Sequence, residues 1–351
     1  MESKNRRWTG VFLSGMVGVV LTVAVLSLSS AAAAPIHSSP ARLMAKSSVN
    51  KFVSKCGVGA SPNADAYDPV DHEIYVANEF SRNVSVVKAP CKVVATIKLP
   101  SGASPYAAAF DPSDNHVYVT DVGRNVVYLI SGTKVTQTDT GFSYPDAILY
   151  DPAEGSMLVA NGDSNNVTIV VGSFVGTPGI PVGTDPTGLD YDPTFPAIVV
   201  DNYGSSNVTL VNATCPGCDL FGPPVNMGSF EVPAGAYASA FDPVTDDDYV
   251  VNNGDPGNVA IVVLIPGLTA VIGNVSVGSY PDAITFAQAS LDLYVANSAS
   301  HNISVLSGGT LVNTLEMPSI SVPTGFAYDD ANNWLYVTDA GGTGTLRGLA
   351  T

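Results

Sequence analysis

The stretch Tyr75-Val76-Ala77-Asn78 recurs along the whole chain, and this repetition limits the fold more than any other feature. It returns as Tyr118-Val119-Thr120-Asp121, Leu158-Val159-Ala160-Asn161, Val199-Val200-Asp201-Asn202, Tyr249-Val250-Val251-Asn252, Tyr294-Val295-Ala296-Asn297 and Tyr336-Val337-Thr338-Asp339. Each copy follows a turn at a constant distance. Five turns are Asp-Pro, at Asp68, Asp111, Asp151, Asp192 and Asp242; the sixth is Ala287-Gln288 and the seventh Asp329-Asp330. The turns lie 40 to 50 residues apart. A period near this length, with several short strands per repeat, specifies a four-stranded propeller blade. The runs are β-branched, short and bounded by Gly, Pro, Asn and Asp, as strands are.

The residue before each turn is aromatic: Tyr67, Phe110, Tyr150, Tyr191, Phe241, Phe286 and Tyr328. Four places before the turn stands Ala or Gly: Ala64, Ala107, Ala147, Gly188, Ala238, Ala283 and Gly325. Near a propeller axis the first strands crowd together, so a larger side chain would clash there. The aromatic is suited to wedge between blades. Both positions read as packing rather than as a site. The third strands open at Asn83, Asn125, Asn166, Asn207, Asn258 and Asn302. The seventh repeat ends without a fourth strand, while Lys51–Cys56 precedes the first repeat at a fourth strand's offset. The expectation is an all-β, seven-bladed propeller whose last blade is closed by the N-terminal strand.

These repeats resemble the YVTN-repeat β-propellers common among archaeal surface-layer proteins, over about residues 51–351. The resemblance implies a cell-surface location. The sixth repeat departs from the pattern by lacking Asp-Pro. The fourth departs by Val199 in place of Tyr and by a long insertion.

Residues 1–34 read as a targeting segment. Lys4, Arg6 and Arg7 precede an uncharged run from Val11 to Leu28, and Ala31–Ala34 offers a cleavage site before Pro35. It is either a cleaved signal, favoured by the alanines, or an N-terminal anchor, the membrane's only contact. Either places residues 50–351 outside the cytoplasmic membrane. Residues 35–49 read as a polar linker, and 50–351 as the propeller. The formal charge of −17 disfavours nucleic acid, whose phosphates need Lys and Arg clusters.

Candidate sites are few. Cys215 and Cys218 are half a zinc site without its second half, and in an exported protein they read as a local disulfide. Cys56 falls late in one fourth strand and Cys91 early in another, so they are expected at opposite ends of different blades, unbonded. Asn83, Asn166, Asn207, Asn212, Asn274 and Asn302 are N-glycosylation acceptors, though Asn in a turn before alternating Ser/Thr and Val gives the same pattern. Five places before each turn stand Asn63, Tyr106, Asp146, Thr187, Tyr237, Asp282 and Thr324, expected to ring the channel mouth. Tyr106, Asp146, Tyr237 and Asp282 form the constellation to test for a ligand, with Asp146 and Asp282 as metal candidates and calcium as the cation. His72 and His116, near Asp71 and Asp114, read as exposed turns; Asp246–Asp248 is acidic enough for calcium but lacks an EF-hand spacing, and acidic turns read as solvated loops.

No Gly-x-Ser-x-Gly elbow or phosphate loop occurs. The leading reading is a non-catalytic cell-surface disc that binds surface proteins or glycans, without a cofactor. The competing reading is an extracellular lactonase- or lyase-like propeller enzyme with a cation at the channel mouth.

Overall fold

The Asp of each Asp-Pro turn closes its own hairpin. Asp68 Oδ1 accepts from the backbone N–H of Val70 at 2.8 Å, and the equivalent carboxylates of Asp111, Asp151, Asp192, Asp242 and Asp329 do the same two residues on. This is the Asx-turn, in which a short side chain replaces a backbone partner. Blade one shows the pattern: Pro62–Asp68, Glu73–Asn78, Asn83–Lys88 and Lys92–Lys98, paired antiparallel in that order.

The computed structural model describes residues 50–212, 226–233, 235–265 and 268–351. They form seven such sheets and no helix. In blade three the fourth strand is reduced to two short pieces, Phe174–Val175 and Ile180–Pro181. The targeting segment, the linker with His37, and Cys215 with Cys218 lie outside the described residues.

The expected clasp is present. Lys51–Gly57 pairs antiparallel with Thr345–Ala350 and completes blade seven. The core is divided among the seams between blades, one apolar cluster to each. Tyr75 of blade one packs on Val117, Val119 and Ile130 of blade two, and Tyr336 of blade seven on Ile74, Val76 and Val87 of blade one. The motif tyrosines therefore face the next blade, and three hydroxyls are tied there: Tyr75 to Gly132 O at 2.9 Å, Tyr294 to Asn50 Oδ1 at 2.8 Å and Tyr336 to Pro90 O at 3.5 Å. The small first-strand residue is required as expected. A Cβ on Gly325 would lie 2.9 Å from Asn63 O and 3.1 Å from Ala64 Cα of the next first strand.

One expectation fails. Cys56 and Cys91 form a disulfide, with Cα atoms 5.6 Å apart. Strand order places them at opposite ends of two fourth strands, but that reasoning ignored twist. Neighbouring strands rotate by about 20–25°, so the outermost strand lies about 60–75° from the first. Fourth strands thus run partly around the circumference, and the end of one meets the start of the next. Cys56, Tyr67, Cys91 and Trp334 each pack against the buried cluster at the seam of blades seven and one.

Candidate functional site

The seven expected rim residues share a backbone cause. In every blade the pairing of first and second strands slips just after the leading residue, as between Pro62 and Ala64 or Pro145 and Ala147. The unpaired residues are Asn63, Tyr106, Asp146, Thr187, Tyr237, Asp282 and Thr324, joined in blade two by Ala107. A bulge re-aims its side chain. Pro at six of these seven strand starts has no N–H to give the ladder.

Three of the seven are structural ties. Thr187 Oγ1 donates to Tyr237 O at 3.0 Å, Thr324 Oγ1 to Pro62 O at 2.8 Å, and Asn63 Nδ2 to Glu79 Oε2 at 3.0 Å. The other four converge. Tyr106 of blade two and Tyr237 of blade five reach across the channel until their hydroxyls are 3.4 Å apart. Tyr203 packs edge-on against Tyr237, with ring centroids 5.8 Å apart. Asp146 and Asp282 enter from blades three and six.

Asp146 is 7% exposed. Burial, then the charges of Asp185 and Asp163, push its carboxyl up to about 7. Asp282 is pushed up to about 6 by burial, opposed by hydrogen bonds from Ser298 and from Asn253 at 2.7 Å. Burial holds the Tyr106 hydroxyl up at about 12, and raises Tyr237 as well. Both phenols are therefore protonated donors at neutral pH, beside two carboxyls that exchange protons near it.

Calcium fits these residues poorly. It takes about six to eight oxygen ligands, whereas Asp146 and Asp282 stand in blades three apart. Among the described residues no group of three or more His, Cys, Asp or Glu is disposed to hold a metal ion. His72 Nδ1 meets the Tyr67 hydroxyl at 2.9 Å, and His116 Nδ1 lies 3.3 Å from Asp114 Oδ1, both on the opposite face. Four glycosylation candidates do structural work as well: Asn83, Asn166, Asn207 and Asn302 each accept, at 2.9 to 3.0 Å, from the motif asparagine of their own blade. Asn212 is half-buried and Asn274 is exposed on an outer strand.

The sequence reading missed a set of buried acids. Asp248 is not an exposed turn residue: it is 1% exposed, with neither oxygen partnered. The other blades place Ile74, Val117, Met157, Ile198, Leu293 and Leu335 there. Asp190 and Asp201 likewise occupy columns of small or apolar residues and face the same seam, between blades four and five. Asp201 Oδ2 accepts from Ser239 at 2.7 Å, and Asp190 bonds the Phe241 backbone. Asp65 is a fourth such residue, at the seam of blades seven and one. The signal was available: an acid in a column the other repeats keep apolar.

No protein-family model matches the sequence, and no curated protein sequence matches it. Among solved structures the ring is similar to a streptogramin B lyase, at TM-score 0.69 and 10% identity over 87% of this chain and 99% of that one. It is also similar to a selenomethionine-substituted virginiamycin B lyase from Staphylococcus aureus, at TM-score 0.67 and 14% identity over 85% of this chain and 99% of that one. The likeness establishes the seven-bladed fold. Both neighbours are enzymes by description, which corrects the reading of the ring as a non-catalytic disc. That reading leaned on the lack of an assembled catalytic set in the sequence; the bulges bring Tyr106, Asp146, Tyr237 and Asp282 to one mouth of the ring.

Proposed function

We propose that the chain is an exported enzyme of the lyase kind, working at the channel mouth where Tyr106, Asp146, Tyr237 and Asp282 meet. The observation that carries this reading is the pair of largely buried carboxyls, titrating near neutrality, on either side of a protonated tyrosine pair. An elimination needs a base and a donor for the departing group. Asp146, its carboxyl raised by burial and by the charges of Asp185 and Asp163, takes the proton from carbon. The freed electron pair forms the new double bond, and the leaving oxygen departs with its bonding pair onto the tyrosine hydroxyls, which supply its proton. Asp282, held by Asn253 and Ser298, orients the substrate. The neighbours' names make streptogramin B the substrate to try.

Export is supported by the N-terminal segment and by the Cys56–Cys91 bond, since disulfides persist in oxidising compartments. A surface-layer setting rests on the repeat resemblance. In the test, wild type, Asp146→Asn, Tyr106→Phe and Asn274→Gln are each incubated with streptogramin B. Loss of turnover by at least about a hundredfold in the first two variants, with Asn274→Gln unaffected, is expected. Full activity in Asp146→Asn would refute the assignment.

A further inference from the structure

The opposite mouth of the ring is built for something else. The first strands of blades seven, one, two and three leave a cavity of about 530 Å³ there. Five aromatic rings line it: Tyr67, Phe110, Tyr150, Phe326 and Tyr328. Its charged lining residues are both acidic, Asp65 and Asp330, and no Lys, Arg or His takes part. The hollow is shallow and open to solvent, with a volume in the range of small-molecule sites, mostly apolar walls and few polar groups.

In the wall of this hollow, Asp65 is the residue that packing leaves unexplained. It is 6% exposed, and neither carboxylate oxygen has a hydrogen-bond partner. The repeat supplies an internal control, because the six equivalent positions hold Ala108, Ile148, Leu189, Ser239, Ile284 and Phe326. None is charged. An unpaired carboxylate in such a place is costly unless a cation offsets it. The one blade that carries it contributes it to the cavity wall. Aromatic faces add their own attraction for a cation, strongest where water is excluded.

We propose that this cavity binds an apolar small molecule carrying a positively charged amine, its body against the five rings and its ammonium over Asp65. Asp65 lines the hollow with both carboxylate oxygens closed off from solvent, so its pull is electrostatic through the wall. Burial raises this carboxyl well above its usual range, and binding of the cation drives its proton off. This site is separate from the channel mouth and does not depend on the chemistry there.

The test is calorimetric titration of the whole protein with phenethylammonium and with its neutral counterpart 2-phenylethanol. Two buffers of different ionisation enthalpy report proton release. Saturable binding of the amine is expected, at least about tenfold tighter than the alcohol, as loss of a charge partner in a low-dielectric wall implies. Asp65→Ala, which the repeat already accommodates at Ala108, should bring the amine down to the alcohol's level and abolish proton release. Ala108→Phe should block both ligands while Asp65 stays in place, and Asp282→Asn at the other mouth should change neither. Equal affinity for amine and alcohol, an Asp65→Ala variant that binds the amine as before, or no saturation at millimolar amine would overturn the proposal.

Discussion

At the scale of the residue, the last position of the repeated motif is Asn or Asp according to what faces it. Asn78 Nδ2 shares its two N–H donors among Val76 O, Asn83 O, Asn83 Oδ1 and Ser85 Oγ, all 2.9 to 3.3 Å away. Asn161, Asn202 and Asn297 meet the same surroundings, with Thr168, Thr209 or Ser304 seven places on. Where the motif ends in Asp, the partners donate. Tyr128 gives its hydroxyl to Asp121 at 2.8 Å, and Arg347 gives Nε and Nη2 to Asp339 at 2.9 and 2.8 Å. Asn78→Asp would turn a buried carboxylate onto acceptors, and about 2–4 kcal/mol of stability should be lost. Asp339→Asn leaves Arg347 buried without its charge and should cost about 3–5 kcal/mol. Urea unfolding of both variants checks the rule; equal stability to wild type in either would break it.

At the scale of the element, the hairpin of blade six lacks the device the other six use. Ala287 cannot cap its turn, and Leu291 there has φ of 56°. A left-handed conformation costs an L-residue roughly 1–2 kcal/mol, less for Asn. Leu291 is 43% exposed, so little packing is at stake. Leu291→Asn should therefore raise stability by about 0.5–1 kcal/mol, read as a higher urea midpoint; a lower midpoint would contradict it. The N-terminal strand is a second case. Deleting residues 50–57 removes a whole strand of blade seven and should lower the melting temperature sharply. Cys56→Ser with Cys91→Ser should cost about 3–4 kcal/mol by freeing a closed loop of 35 residues. Blade number, strand order and the clasp were legible because the repeats align residue by residue. The disulfide was not, because twist lies in the backbone and leaves no mark on residue spacing. The bulges that aim Asp146 and Tyr106 were half-visible, as Pro followed two places later by a small residue.

At the scale of the whole molecule, the ring is held by seven seams that are not alike. The seam of blades four and five carries Asp190, Asp201 and Asp248 in its core. Burial pushes Asp190 up to about 8 and Asp201 up to about 7, and raises Asp248 strongly. A carboxyl raised on folding binds its proton more tightly in the folded state. Its stabilising effect is complete below the unfolded value near 4, and is lost as pH climbs through the folded one. Melting temperature should therefore fall from pH 4 to pH 8, the reverse of acid denaturation. Asp248→Leu, the residue of blades six and seven, should recover about 1–4 kcal/mol at pH 8 and less at pH 4. A melting temperature that rises with pH, or no gain in Asp248→Leu at pH 8, would contradict this. The same physics bears on the proposed lyase reaction. As its base, Asp146 would act only when ionised, so kcat/KM should climb through about pH 7. The most direct test of the functional account is the mass balance of the reaction with streptogramin B, followed by mass spectrometry. An elimination adds no water, so a new chromatographic peak with the absorbance of a new double bond should appear while the total mass stays that of the substrate, and the account predicts this. Products heavier by one water, or substrate left unchanged, would contradict it.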